Sequence, residues 1–382
     1  MIDHVQGSSL AFDLAQASPT VLQRALQEAP WLGPMLEEMR ARFPAAPSAQ
    51  PFQSDEYFRP VGHRRAFYRT VAGGAAVVAF KGTEVRAGDL EPMARWIHAR
   101  HDRMESPLEG FPIQEHKAPG VLLLEEAMSE AQAALAFQSR WVSAYPGLPR
   151  TPLPLLVLRW PEETVQRYQA AIGRLLSSRA RAIVERLIAG GLAAYAYYYP
   201  GRTVRATEVQ DRAGLVAAGY RSRKSGHAEA FSFEATVESW IRLVARMLAL
   251  GFMPVSVSSD QSGQLVQPQN ATVDGGFVDM DSLQPIAQIA GDGELATTLW
   301  LLVRELSFTV TALLGGSASR ALEKLRGVQH VAAAARVFEM LRDFLREEQA
   351  AGVTVDPRLA RLVLEERGVA ALDRLFSLQY PG

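Results

Sequence analysis

Gln267-Pro268-Gln269-Asn270-Ala271-Thr272-Val273-Asp274-Gly275-Gly276-Phe277-Val278-Asp279-Met280-Asp281 is the stretch from which the rest of the chain is read. Val273 and Phe277-Val278 are apolar strand residues, and Asp274-Gly275-Gly276 between them is the composition of a tight turn with left-handed backbone. The stretch therefore predicts a short β-hairpin. Asn270 stands before the hairpin, and Asp279 and Asp281 follow it. An amide and two carboxylates form an all-oxygen donor set, the kind that hard cations such as Mg²⁺ or Mn²⁺ prefer. The alternative at this point is a surface hairpin whose polar residues only cap the turn.

Composition narrows the setting. The chain has 382 residues, 48% of them hydrophobic and 21% charged, so it can bury a large core in two or three lobes. A formal net charge of -1 gives no global field to draw in nucleic acid or an anionic membrane. Nucleic acid and membrane are thus not expected partners. The sequence contains no cysteine, which excludes disulfides, thiolate nucleophiles and cysteine-based zinc sites. The opening MIDHVQGSSLAFDLAQ lacks the basic start and apolar run of a signal peptide, and the apolar stretch 295–314 contains Arg304 and Glu305. A cytosolic protein is the expectation.

Hydrophobic periodicity orders the elements. Residues 1–45 predict helices, and 44–51, rich in Pro and Ala, a linker. Residues 57–61, 66–71 and 75–80 predict an antiparallel meander, 122–142 a helix, and 153–159 a further strand of the same sheet. From about residue 162 the pattern is helical, over 164–189, 234–250, 293–314 and 328–349, with two short helices after Pro357. The expected organisation is α+β: a helical extension at 1–50, a sheet lobe with one helix at 51–161, and a helical lobe at 162–382 that carries the hairpin. A ligand is expected in the cleft between lobes.

Strands, a helix, a strand and then a helical lobe is the order of a protein-kinase-like fold, and three groups of residues resemble that fold. Lys81-Gly82 ends the third predicted strand, where kinases carry the lysine that contacts nucleotide phosphates. Arg86-Ala87-Gly88-Asp89 follows it, and Asn270 precedes Asp279 by nine residues. Together these resemble selenoprotein O-like pseudokinases, in patches covering roughly a third of the chain. The resemblance implies an enzyme that uses ATP and Mg²⁺ or Mn²⁺ and moves AMP onto protein hydroxyls from a nucleotide bound in reverse orientation. It implies Lys81 on phosphate, Asn270 and Asp279 on the metal, Arg86 beside Lys81 on the terminal phosphates, and a glutamate of the following helix as the anchor of Lys81. Within Leu124-Glu125-Glu126-Ala127-Met128-Ser129-Glu130 the favoured anchor is Glu126, with Glu130 next.

The chain also departs from that family. Gln269 occupies the acidic position before the Asn, Asp279-Met280-Asp281 replaces Asp-Tyr-Gly, and the spacing from Lys81 to Arg86 is short. A glutamine cannot take a proton at neutral pH, so either Asp281 or Asp274 serves as base or the loose transition state of phosphoryl transfer needs none. Two alternatives follow, a small-molecule phosphotransferase and a catalytically silent pseudokinase that binds nucleotide as a scaffold. The acceptor is accordingly a protein, a peptide or a small molecule.

Other features stay open at this level. His63-Arg64-Arg65, on the turn between the first two strands, either holds a triphosphate through Arg64 and Arg65 or is a solvated basic turn. The cations Arg202, Arg205, Arg212, Arg221, Arg223 and Lys224 suit an acidic segment or a solvated loop. Tyr195-Ala196-Tyr197-Tyr198-Tyr199 suits core packing better than base stacking. Seven histidines show no zinc spacing, and no nucleophile elbow, Walker A loop or dinucleotide fingerprint is present.

Overall fold

A computed structural model describes residues 9–42, 57–58, 66–71, 76–82, 121–174, 178–201, 205–206, 220–221, 228–229, 233–255, 265–315 and 328–365. It is a mixed α+β structure. Contacts divide the chain into two compact units, one made of Met1–Val142 and Pro152–Pro200, the other of Ser143–Thr151 and Gly201–Gly382.

The first unit is built on a seven-stranded antiparallel sheet. Its strands are β1 (Ser9–Asp13), β2 (Tyr57–Phe58), β3 (Ala66–Val71), β4 (Ala76–Lys81), β5 (Leu122–Leu123), β6 (Leu153–Arg159) and β7 (Leu192–Tyr199). They lie in the order β1-β6-β7-β4-β3-β2, with β5 pairing alongside on β7. Two expected boundaries move as a result. Within the expected extension 1–50, the described residues 9–42 belong to the sheet unit, because β1 pairs with β6 and the helices α1 (Leu14–Ala17), α2 (Pro19–Glu28) and α3 (Leu32–Arg42) follow directly from it. The sheet unit also runs past 161 to Pro200, because β7 lies between β6 and β4 and joins the two halves of the sheet.

Every residue of β7 is buried, so this strand is covered on both faces. The ring of Tyr198 meets that of Trp31, between α2 and α3, edge on at 5.5 Å. Tyr195, Tyr197 and Tyr199 alternate with it and so face the other side. That side is covered by α4 (Leu124–Ala144), whose buried positions Ala127, Glu130, Ala131, Ala134, Phe137, Gln138 and Trp141 recur at helical spacing. Glu125 and Glu126 sit in the first turn of α4, where the helix dipole favours negative charge. After β6 come α5 (Glu162–Gly173) and α6 (Ser178–Ile188), two helices where the periodicity predicted one.

The second unit is mainly helical. It contains α7 (Phe233–Ala249), α8 (Asp292–Gly315), α9 (Val328–Ala350) and α10 (Pro357–Val363), with the short strand pair β8 (Tyr220–Arg221) and β9 (Ala228–Glu229). α7 ends at Gly251, whose φ of 83° is the left-handed stop that the sequence signals. β10 (Phe252–Met253) then pairs with β11 (Gln284–Pro285), and this ribbon brings together the two ends of the segment that contains the hairpin. Tyr145, Glu348 and Arg246 tie the segment 143–151 to α9 and α7: the tyrosine hydroxyl donates to Glu348 at 2.7 Å, and the Arg246 guanidinium donates to the same carboxylate at 2.9 Å. Among the described residues no helix is long and apolar enough to cross a membrane.

Candidate functional site

Lys81 is the last residue of β4, opposite Ala66 of β3 and Tyr195 of β7. The register therefore puts its side chain on the face covered by α4. There the ammonium donates to both oxygens of Glu130, at 2.7 and 2.8 Å. The glutamate is 2% exposed and the lysine side chain 12%. The rings of Tyr195 and Tyr197 flank the ammonium, with centroids 5.9 and 5.6 Å from Nζ. The cation thus sits among two carboxylate oxygens and two electron-rich faces.

This geometry corrects the expected anchor. Glu126 is half-buried near the start of α4, and the residue that grips Lys81 is Glu130, one turn further on. Glu130 lies inside the buried stripe of the helix, between Ala127 and Ala131, and Glu126 lies on its flank. The helix's own apolar period carries that signal. The two tyrosines are a further finding, because their part in the lysine's surroundings follows only from the β4·β7 register.

Gly82 lets the chain leave the sheet at this point. Its φ is 69°, and a Cβ there would lie 2.4 Å from the carbonyl oxygen of Ala193 and 2.7 Å from the Cβ of Leu122. A side chain would collide with backbone. The Lys81-Gly82 pair therefore combines a cation at the strand's end with the one residue type that permits the sharp exit.

The predicted hairpin is present in the second unit. The main-chain N–H of Val278 donates to the Asn270 carbonyl at 2.9 Å, Ala271 bridges to Phe277, and the Thr272 N–H donates to the Gly276 carbonyl at 2.8 Å. Gly275 takes the left-handed conformation, φ 90°. The turn is not a surface feature. Trp240 donates its indole N–H to the Thr272 carbonyl at 2.9 Å and Thr236 its hydroxyl to the Val273 carbonyl at 2.8 Å, which fixes the tip against α7. A Cβ on Gly275 would lie 2.4 Å from that of Ser239, so the helix approaches as closely as glycine allows.

The pairing sets Asn270 across from Val278 and leaves Asp279 one residue beyond, at the open end of the hairpin. Asn270 is 8% exposed, and Asp279 and Asp281 are half-buried. Asp281 accepts a hydrogen bond from the Ser282 hydroxyl at 2.9 Å, and Asp274 accepts one from Thr272 within the turn. Gln269 is exposed, with its amide on the side-chain oxygen of Gln267. Among the described residues no three His, Asp or Glu side chains gather into a self-sufficient metal cage. Asn270, Asp279 and Asp281 offer amide and carboxylate oxygens, the donor type that Mg²⁺ takes together with waters and substrate phosphates. Arg64, Arg65 and Arg86 lie outside the described residues.

Neither a protein-family model nor a curated protein matches the chain.

Proposed function

We propose that the protein is an ATP- and magnesium-dependent transferase with a two-lobed, protein-kinase-like architecture, and that it moves AMP from ATP to a hydroxyl of a protein or peptide. The observation that carries this reading is the Lys81–Glu130 pair, a lysine at a strand's end held by both oxygens of a 2%-exposed glutamate. Burying such a pair gains little stability over apolar residues of the same volume, so its presence calls for a use of the charge. Glu130 holds the ammonium by both oxygens, and the lysine side chain keeps 12% exposure, so the oriented charge is not sealed off from an anionic ligand. Phosphate is the fitting ligand, because a cation already oriented by its partner loses little entropy on meeting it.

In this reading Asn270 and Asp279 would hold the metal, which would supply charge neutralisation for the phosphates, and Lys81 would hold a phosphate oxygen. The acceptor oxygen attacks the α-phosphorus, the bond from that phosphorus to the bridging oxygen breaks, and pyrophosphate leaves with its electron pair. The acceptor's proton passes to Asp281 or to solvent. Gln269 cannot receive it, and a loose transition state makes early proton removal unnecessary. Mass spectrometry of the protein and candidate acceptors after incubation with ATP and Mg²⁺ tests the reading, with a gain of AMP expected.

Phosphate transfer differs only in which phosphorus is attacked, and Arg86 separates the two. A reversed nucleotide needs a cation for its terminal phosphates, and a charge-assisted contact of about 1.5–3 kcal/mol makes Arg86→Ala cost roughly tenfold or more in rate. Transfer of label from γ-labelled ATP only, with Arg86→Ala unimpaired, refutes AMP transfer and favours a phosphotransferase. The exposed amide of Gln269 favours the second reading, a nucleotide-binding scaffold without turnover. Metal-dependent ATP binding with no product on any acceptor would select it.

A further inference from the structure

α8 carries five hydroxyl side chains among its described residues, and four of them bond within the helix. Thr297 donates to the Gly293 carbonyl, Thr298 to Glu294, Ser307 to Val303 and Thr311 to Ser307, each four residues back. That is the usual way for a hydroxyl to satisfy itself on a helix. Thr309 departs from it. It is fully buried, and its hydroxyl reaches out of the helix to the carbonyl oxygen of Val266, at 2.5 Å.

Val266 immediately precedes the turn that presents Asn270. The carbonyl of Gln267 accepts from the N–H groups of both Asn270, at 2.9 Å, and Ala271, at 3.0 Å. From the other side, Trp240 and Thr236 of α7 hold the carbonyls of Thr272 and Val273. The backbone on either side of Asn270 is therefore gripped at its carbonyls by donors from two different helices. The α7 grip acts beyond the turn, on the hairpin tip. Thr309 acts before it, on the peptide from which the turn springs.

We infer that Thr309 is a positioning residue for Asn270: it fixes the loop 266–271 and thereby sets the metal-binding amide. The metal part of this inference rests on the function proposed above, and the positioning part does not. Thr309→Val keeps shape and removes the donor, and Thr309→Ser keeps the donor. Two measurements on the full chain decide the matter. In hydrogen exchange, Thr309→Val is expected to speed exchange of the Asn270 and Ala271 amides about fivefold, the worth of one net hydrogen bond. The α8 core amides and the Gly276 amide, which donates to the Thr272 hydroxyl within the turn at 3.0 Å, stay unchanged, and Thr309→Ser restores the slow rate. In titrations of Mg²⁺ at fixed ATP, the half-saturating metal concentration rises in Thr309→Val by a similar factor and returns in Thr309→Ser, while nucleotide affinity at saturating metal is unaltered.

Unchanged exchange at Asn270 and Ala271, or a gain spread evenly through α8, overturns the positioning role. Local loosening without a change in metal dependence overturns its link to the metal. A wild-type protein that binds ATP equally well with metal and with chelator sinks the metal-site reading itself, and the exchange measurement still judges Thr309.

Discussion

The surroundings of Lys81 and the hairpin around Asn270 hold their polar residues by opposite means. Lys81 is held by charge: its seat is made of side chains, the Glu130 carboxylate and the rings of Tyr195 and Tyr197, on a position set by sheet register. Asn270 is held by backbone: its neighbours' carbonyls are gripped by Thr309, Trp240 and Thr236, and its own carbonyl pairs with Val278. A charge-held seat fails when one charge is deleted. A backbone-held seat spreads its support over several neutral bonds of about 1 kcal/mol each, and it degrades in steps.

Glycine substitutions break the two regions most severely. Gly82→Ala adds left-handed strain to a 2.4 Å collision with the Ala193 carbonyl, and a loss of about 3–5 kcal/mol is expected in denaturant unfolding. Gly275→Ala meets the Ser239 Cβ at the same distance, but that neighbour is a side chain. Ser239→Gly should therefore recover part of the Gly275 loss. No neighbouring substitution should rescue Gly82→Ala, because its obstacle is backbone. Equal rescue of both would mean that the exit after β4 is less confined than the geometry requires.

Next in size is the deletion of one charge. Glu130→Gln removes the negative charge that faces the lysine ammonium and should cost about 3 kcal/mol, the low end for a broken buried pair because Lys81 retains 12% exposure. Glu126→Gln, on the half-buried flank of α4, should cost less than about 1 kcal/mol. Thermal unfolding ranks the two. A larger loss from Glu126→Gln would reinstate it as the anchor.

The hairpin predicts a split between turnover and stability. Asp279→Ala should lower nucleotide transfer at least about a hundredfold, equivalent to roughly 2.7 kcal/mol of barrier, with the unfolding midpoint unchanged. Asp274→Ala removes the acceptor of the Thr272 hydroxyl in the turn and should cost about 1 kcal/mol of stability with turnover nearly intact. The reverse pattern would show that the metal register along 270–281 is misplaced.

Much of this was legible in the sequence, and the exceptions have physical causes. The meander 66–81, the strand 153–159 and the long helices were readable because each buries one face and shows its period. The hairpin was readable because Asp274-Gly275-Gly276 needs left-handed backbone. β7 was not seen as a strand, since burial on both faces erases the alternation that marks one, although the core role of its tyrosines was correctly read. β1 was hidden because its partner β6 lies over a hundred residues away in sequence, so no hairpin signal adjoins it. Glu126 was ranked ahead of Glu130 on the resemblance alone, whereas the apolar period of α4, which puts Glu130 inside the buried stripe, favours the other order.

The smallest expected effect sharpens the comparison through pH. Each unit contains tyrosines whose ionisation is resisted by burial: Tyr198, with Glu28 adding repulsion, is raised to about 12, Tyr168 is raised well above its ordinary value, and Tyr145 is raised by burial and by its bond to Glu348. Below pH of about 10 these groups are protonated in the folded and unfolded chain alike, and their contribution to stability is fully present. Above it the unfolded chain gives up protons first, so stability falls as pH climbs through the folded values. Denaturant midpoints between about pH 8 and 11.5 should therefore be flat at first and then decline. Tyr198→Phe and Tyr145→Phe should each flatten part of the decline, Tyr198 for the sheet unit and Tyr145 for the helical one. If unfolding shows two transitions, the Tyr198 effect should fall on one and the Tyr145 effect on the other. An alkaline decline untouched by Tyr198→Phe would mean that its hydroxyl is solvated in the folded protein and that the cover provided by α2, α3 and Trp31 is open.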